Sequence, residues 1–138
     1  MNISYSALVL DEPSRTSLIG MLGDAIPGNW EVVAHHMTIT MGPLLHPKGK
    51  HDFSQTYVSG ETFDLPVTSV GMDGRAMAVQ VMAPFPINRK TKFPHVTVAV
   101  NREEGGKPFH SNKIPIESFK DISHWGLVLR GQVMEIPQ

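Results

Sequence analysis

Two triplets of the same kind carry the side chains best suited to chemistry. His36-Met37-Thr38 lies in the run Ala34-His35-His36-Met37-Thr38-Ile39-Thr40-Met41-Gly42, and His95-Val96-Thr97 in Phe93-Pro94-His95-Val96-Thr97-Val98-Ala99-Val100. Both runs are apolar and β-favouring. Side chains alternate faces along a strand, so residues two apart point the same way. His36 and Thr38 should therefore share one face, with Val33, Met37 and Ile39 buried on the other. His95 and Thr97 should do the same, backed by Val96, Val98 and Val100. An imidazole can take or give a proton near neutral pH. A hydroxyl beside it can donate a hydrogen bond to developing negative charge. Two of each, brought together from two strands, would suit acid–base chemistry on an oxyanion.

Composition alone accounts for roughly one His-x-Ser/Thr triplet by chance, so the context carries the information. Both triplets use Thr, both sit mid-strand by pattern, and one falls in each half of the chain. By the same alternation His35 should point away from His36, as a packed or surface residue. A metal site built on His35, His36 and a third ligand is disfavoured, because adjacent strand residues diverge and no carboxylate stands at suitable spacing.

The elements that must position these residues can be read in order. Ser4 to Leu10 reads as a central strand that turns wholly apolar. Asp11 or Ser14 can cap a following helix, with Pro13 in its first turn and Leu18, Ile19, Met21 and Leu22 on its apolar face. Gly23 and Pro27-Gly28 end it. Trp30 to Met41 reads as one long strand carrying the first triplet. Gly42-Pro43 breaks it, and the segment through Asp52 is a basic, turn-rich connection that could also grip a phosphate or cover a cleft. Thr56 to Ser59 is expected to be a short strand. Leu65 to Met72 and Ala76 to Met82 flank Asp73-Gly74, a hairpin turn signal. Arg89, Lys90 and Lys92 arrive just before the second triplet and could attract an anion. Gly105-Gly106-Lys107 could let backbone amides and an ammonium approach phosphate, although its spacing is not that of a P-loop. Ile116 to Ile122 is expected to make one or two helical turns. Gly126 to Ile136 closes the chain as strand, bent or interrupted at Gly131.

Composition narrows the class. The length of 138 residues suits one domain, 1–138, with a single core. There is no Cys, which removes disulfides, a thiolate nucleophile and thiolate-bound zinc, and fits a reducing, cytoplasmic setting. No apolar run approaches the roughly 18 residues of a membrane span, and no signal peptide is evident. A formal charge of −1 argues against broad clamping of long nucleic acid, while a nucleotide or one RNA end stays compatible.

Strand, helix, His-x-Thr strand, hairpin, second His-x-Thr strand and closing strand, in that order, resemble the 2H phosphoesterase superfamily, which includes LigT-like RNA ligases and 2′,3′-cyclic nucleotide phosphodiesterases. The likeness rests on His36-Met37-Thr38-Ile39 with Gly42 and on His95-Val96-Thr97-Val98. It implies an α+β, bilobal fold with two antiparallel sheets, few short helices and a central groove lined by both motifs. This chain is shorter than many relatives, so helices must be reduced. Many members carry a basic residue where this sequence has Val100; the phosphate would then rely on Arg89, Lys92, Arg102 or Lys107, with Tyr57 as a further substrate contact. The implied activity is a phosphodiesterase that needs no metal or other cofactor and acts on a nucleotide or RNA terminus, above all a 2′,3′-cyclic phosphate. His95 is taken as base and His36 as acid, and the sequence leaves the two interchangeable. Cleavage of oligonucleotide messengers and pure nucleotide or RNA-end binding are the alternatives. No required protein partner is evident.

Overall fold

The turn at Asp73-Gly74 forms as expected, and the rest of the sheet grows out from it. The computed structural model describes residues 2–138. The Asp73 carboxylate accepts from the backbone N–H groups of Arg75 (2.8 Å) and Ala76 (3.0 Å), which fixes the hairpin of β4 (Thr62–Met72) and β5 (Ala76–Val81). Such a self-bonded Asp turn needs no help from tertiary packing. The remaining strands are β1 (Ile3–Leu10), β2 (Glu31–Val32), β3 (His36–Met41), β6 (His95–Val100), β7 (Lys120–Asp121) and β8 (Val128–Pro137). One α-helix, α1 (Glu12–Leu22), accompanies them.

All pairings are antiparallel, and they close on themselves. From β1 the sheet runs through β8, β4 and β5 to β6, and β6 returns through β3 to β1. The fold is therefore α+β, mostly antiparallel sheet with one short helix. The two sheets anticipated as separate are instead one continuous hydrogen-bonded sheet. Closure removes the free edges of the six ring strands, leaving only the short β2 and β7 as appendages.

One row of opposed residues shows how the interior is filled. Val133, Leu8, Met37, Val96 and Val79 are successive partners across β8, β1, β3, β6 and β5, and all are at most 1% exposed. Packing at this density makes each large side chain worth about 2–5 kcal/mol against truncation to Ala. Gly131 is explained here too: it stays within β8, and a Cβ on it would meet Leu8 at 3.0 Å. α1 adds Leu18 and Leu22 to the same core. Its start is capped by Asp11, which accepts from the Ser14 N–H at 2.9 Å, and Ser14 Oγ in turn accepts from the Arg130 N–H at 2.7 Å. Asp11 is thus the cap, and Ser14 ties the helix to β8.

Three local expectations change. Residues Thr56–Ser59 form no strand; they lie in a turn that buries Tyr57 completely. Ile116–Ser118 makes a single 3₁₀ turn, followed by β7 rather than more helix. The long strand from Trp30 is split. Between the pairs Val32↔Ala99 and Met37↔Val96, four residues (33–36) face two (97 and 98) on β6, a two-residue bulge. Ala34, fully buried, takes φ +42 inside it. A non-glycine residue in that region costs roughly 1–2 kcal/mol, so surrounding packing must hold it there.

Candidate active site

Both triplets deliver what alternation requires of them. Met37 and Val96 form an opposed pair pointing into the core. On the outer face the antiparallel register then sets His36 against Thr97 and Thr38 against His95. A local twofold axis through the Met37–Val96 pair exchanges the two motifs. All four side chains line one cavity of about 550 Å³. Each imidazole thus shares one cavity with the other strand's hydroxyl.

Two features shape the cavity on this face. β6 is buried along its whole length, because one side meets the core and the other is covered by the 3₁₀ segment Pro108–Lys113. Pro108, Phe109 and Asn112 of that segment form one wall of the cavity. On the other side β3 diverges from β6 after the Met37–Val96 pair. The loop leading to β6 takes over, with the Asn88 N–H donating to the Ile39 carbonyl (2.9 Å) and Asn88 Nδ2 donating to Thr40 Oγ1 (3.0 Å). This turn brings Lys90 and Thr91 to the cavity rim.

Each catalytic candidate is held by specific partners. His95 Nδ1 donates to the Phe93 carbonyl at 2.8 Å, which leaves Nε2 as the free lone pair. The His95 ring packs edge-on against Phe93 with centroids 5.2 Å apart. Burial lowers its pKa, partly offset by that hydrogen bond. His36 stacks on Tyr5, centroids 4.7 Å apart. Burial, with the adjoining charges of His35 and His95, brings the His36 pKa down to about 4. Both rings are thus neutral in the free protein at pH 7. The Thr97 hydroxyl reaches the Pro108 carbonyl (3.2 Å) and the buried Ser111 Oγ (2.8 Å). That pair of contacts holds the Thr97 hydroxyl in place, and the residue still lines the cavity.

Several expectations for the surroundings are corrected. His35 does not point away: its Nδ1 lies 2.9 Å from His36 Nδ1, because the bulge at Ala34 resets the alternation. Tyr57 is fully buried and its hydroxyl donates to the Phe85 carbonyl, with burial raising its pKa to about 12; it is a core residue. Arg102 is paired with the Glu31 carboxylate at 3.0 and 3.2 Å, outside the cavity. Lys107 and Lys92 are exposed and do not line it. The glycine pair offers no open amides, since the Gly106 N–H donates to the Asn101 carbonyl (2.7 Å) and the Gly105 N–H to that of Arg102 (3.1 Å). Val100 is fully buried against Ala76, Ala78 and Ile114, a place unfit for a cation. Arg89 lines a neighbouring cavity instead. The cation at the motifs is Lys90, with Tyr5 and Phe109 as aromatic walls. Lys90 sits in the basic run legible before His95, whereas Tyr5 was signalled only by its alternation with Ala7 on β1.

Among the described residues no three His, Cys, Asp or Glu side chains converge to hold a metal ion, and no helix is long and apolar enough to cross a membrane. No protein-family model, curated protein or solved structure matches the chain.

Proposed function

We propose that this cavity is the active site of a phosphodiesterase of the 2H type, hydrolysing a nucleotide or RNA phosphodiester, with a 2′,3′-cyclic phosphate as the preferred linkage. The observation that carries the reading is the twofold placement of His36, Thr38, His95 and Thr97 around one open cavity. The ring as a whole would then correspond to two lobes meeting at the Met37–Val96 pair.

The tautomer of His95 supports its role as base. With Nδ1–H committed to Phe93, Nε2 is free to take the proton of an attacking water. The water oxygen bonds to phosphorus as the bond to the 2′ or 3′ ribose oxygen breaks, and that oxygen takes a proton from His36. His36 must be an imidazolium at that moment. Its low intrinsic proton affinity makes it a strong acid, and the negative charge of an arriving phosphodiester would raise its pKa so that it takes up a proton from solvent. The His35 ring can then accept a hydrogen bond from the Nδ1–H of that cation. Thr38 would donate to one non-bridging oxygen, Thr97 would donate to the other by turning its single hydroxyl proton from the Pro108 carbonyl to the phosphate, and Lys90 would offset the remaining charge. Each positioned proton transfer is worth about 10²–10⁴-fold.

The test is incubation with a 2′,3′-cyclic mononucleotide, with and without chelator, followed by product analysis. Conversion to a single monophosphate isomer, unaffected by chelator and lost in His36→Ala and in His95→Ala, is expected. Tight binding without conversion would replace this reading with that of a nucleotide-binding module.

A further inference from the structure

Beside the motif cavity lies a second one of about 610 Å³, and the two share Met41, Lys90 and Thr91 as a common wall. Its lining contains Lys50, Arg89 and Lys90 together with His46 and His51, and no carboxylate. The neighbouring Asp52 is turned away, accepting from Ser54 and Gln55. The segment 43–52 is not loose chain. His51 Nε2 bonds to the Pro43 carbonyl at 2.8 Å, Leu45 bridges to Asp52, and the Lys48 N–H donates to His46 Nδ1 at 3.0 Å. That last bond leaves Nε2 as the proton-bearing nitrogen of a neutral His46. Burial and the charges of His51, Lys50 and Lys48 lower its pKa, another sign of how densely cations gather here.

A cavity of this size accepts a drug-sized or nucleotide-sized group. Cations with no counter-charge in the lining ask for an anion. Apolar surface is provided too: Phe53 lies in the lining, and Met41, 69% exposed, stands at the junction of the two cavities. An anion next to an apolar contact, across the shared Met41–Lys90–Thr91 wall from the scissile site, matches the next unit of a nucleotide chain.

We infer that the second cavity binds the phosphate and base adjoining the scissile linkage, so that the substrate is an oligoribonucleotide and not a mononucleotide. This rests on the activity proposed above, and the experiment separates the two. Three probes share a 2′,3′-cyclic end: a mononucleotide, the same mononucleotide with a 5′-diphosphate, and a tetranucleotide. The tetranucleotide should show a kcat/KM at least tenfold above the other two. The Lys50→Ala/Arg89→Ala double variant should cut the ratio of tetranucleotide to mononucleotide kcat/KM about tenfold or more, the scale of a lost charge-assisted hydrogen bond. Binding of a tetranucleotide ending in a plain 3′-phosphate, followed by fluorescence anisotropy, is read separately. Its dependence on log salt should lose about 0.7 in slope for each phosphate contact removed. Preference for the 5′-diphosphate would overturn the oligonucleotide assignment. So would equal losses on all probes, or none on any. Absence of turnover with every probe, alongside weakened tetranucleotide binding in the variant, would sink the acid–base reading and leave this subsite standing.

Discussion

Lowering the pH should cost this protein stability through His36, and the size of that cost reports on the geometry of the site. A free imidazole titrates near 6.5, whereas His36 in the folded chain titrates at about 4. Between those values the unfolded state binds a proton that the folded state refuses. Stability from this group is therefore fully present above pH 6.5 and is lost as pH falls towards 4. At 1.36 kcal/mol per pKa unit the full difference is about 3 kcal/mol. The half-buried ring sees some solvent, so a loss of roughly 1–3 kcal/mol is the working range. His95, also lowered by burial, adds in the same direction. The assay is urea unfolding of the native protein and of His36→Gln at pH 7 and at pH 4.5. Gln keeps a hydrogen-bonding group next to His35 but cannot titrate. The native protein should lose more stability than the variant over that interval, and the difference between them is the His36 contribution. Identical losses would show that the ring is neither desolvated nor crowded by its neighbours, and the described cavity would be wrong.

Further outcomes follow from particular contacts. The pH profile of kcat/KM on a cyclic nucleotide should be bell-shaped, with its maximum below 6.5, because both imidazoles of the free protein have lowered proton affinity; an alkaline optimum would contradict the assignment. Thr38→Ala and Thr97→Ala should each lower kcat by about 10²–10³-fold, on the scale of removing one donor from an oxyanion site, with circular dichroism unchanged; an effect on KM alone would make them binding groups. Gly106→Ala should destabilise the fold by more than about 2 kcal/mol, since the added Cβ would clash with the backbone carbonyls of Arg75 and Asn101; thermal melting checks this.

What could be read from the sequence was whatever depends on short range. A period of two put Met37 and Val96 inside and left two His-Thr pairs outside, and the register delivered them to one cavity. The Asp73-Gly74 turn and the Asp11 cap are equally local. The bulge at Ala34 was not legible, because left-handed backbone normally announces itself through Gly or Asn; an Ala held there by packing gives no signal. With it went the orientation of His35. The cations failed for a different reason. Whether Arg102 is free depends on Glu31, 71 positions away, and whether Lys90 or Lys92 reaches the cavity depends on how the Asn88 turn seats against β3. Charge in a loop states a capacity; only tertiary contacts state where it is spent. The single closed sheet also escaped the reading, since the order of the strands does not say whether the last one completes a ring.

That ring has a bearing on how the chain is made. β1 finds its partner β8 only when residues 128–137 have left the ribosome, after every other strand of the ring. Until then β1 and β4 each present an unbonded flank, and Leu8 and Leu65 lack the cover that Leu129 and Val133 later give. Nascent chains of this kind are exposed to edge-to-edge association until β8 has emerged. A chain stopped after Asp121 would carry both motifs and still be a template for aggregation.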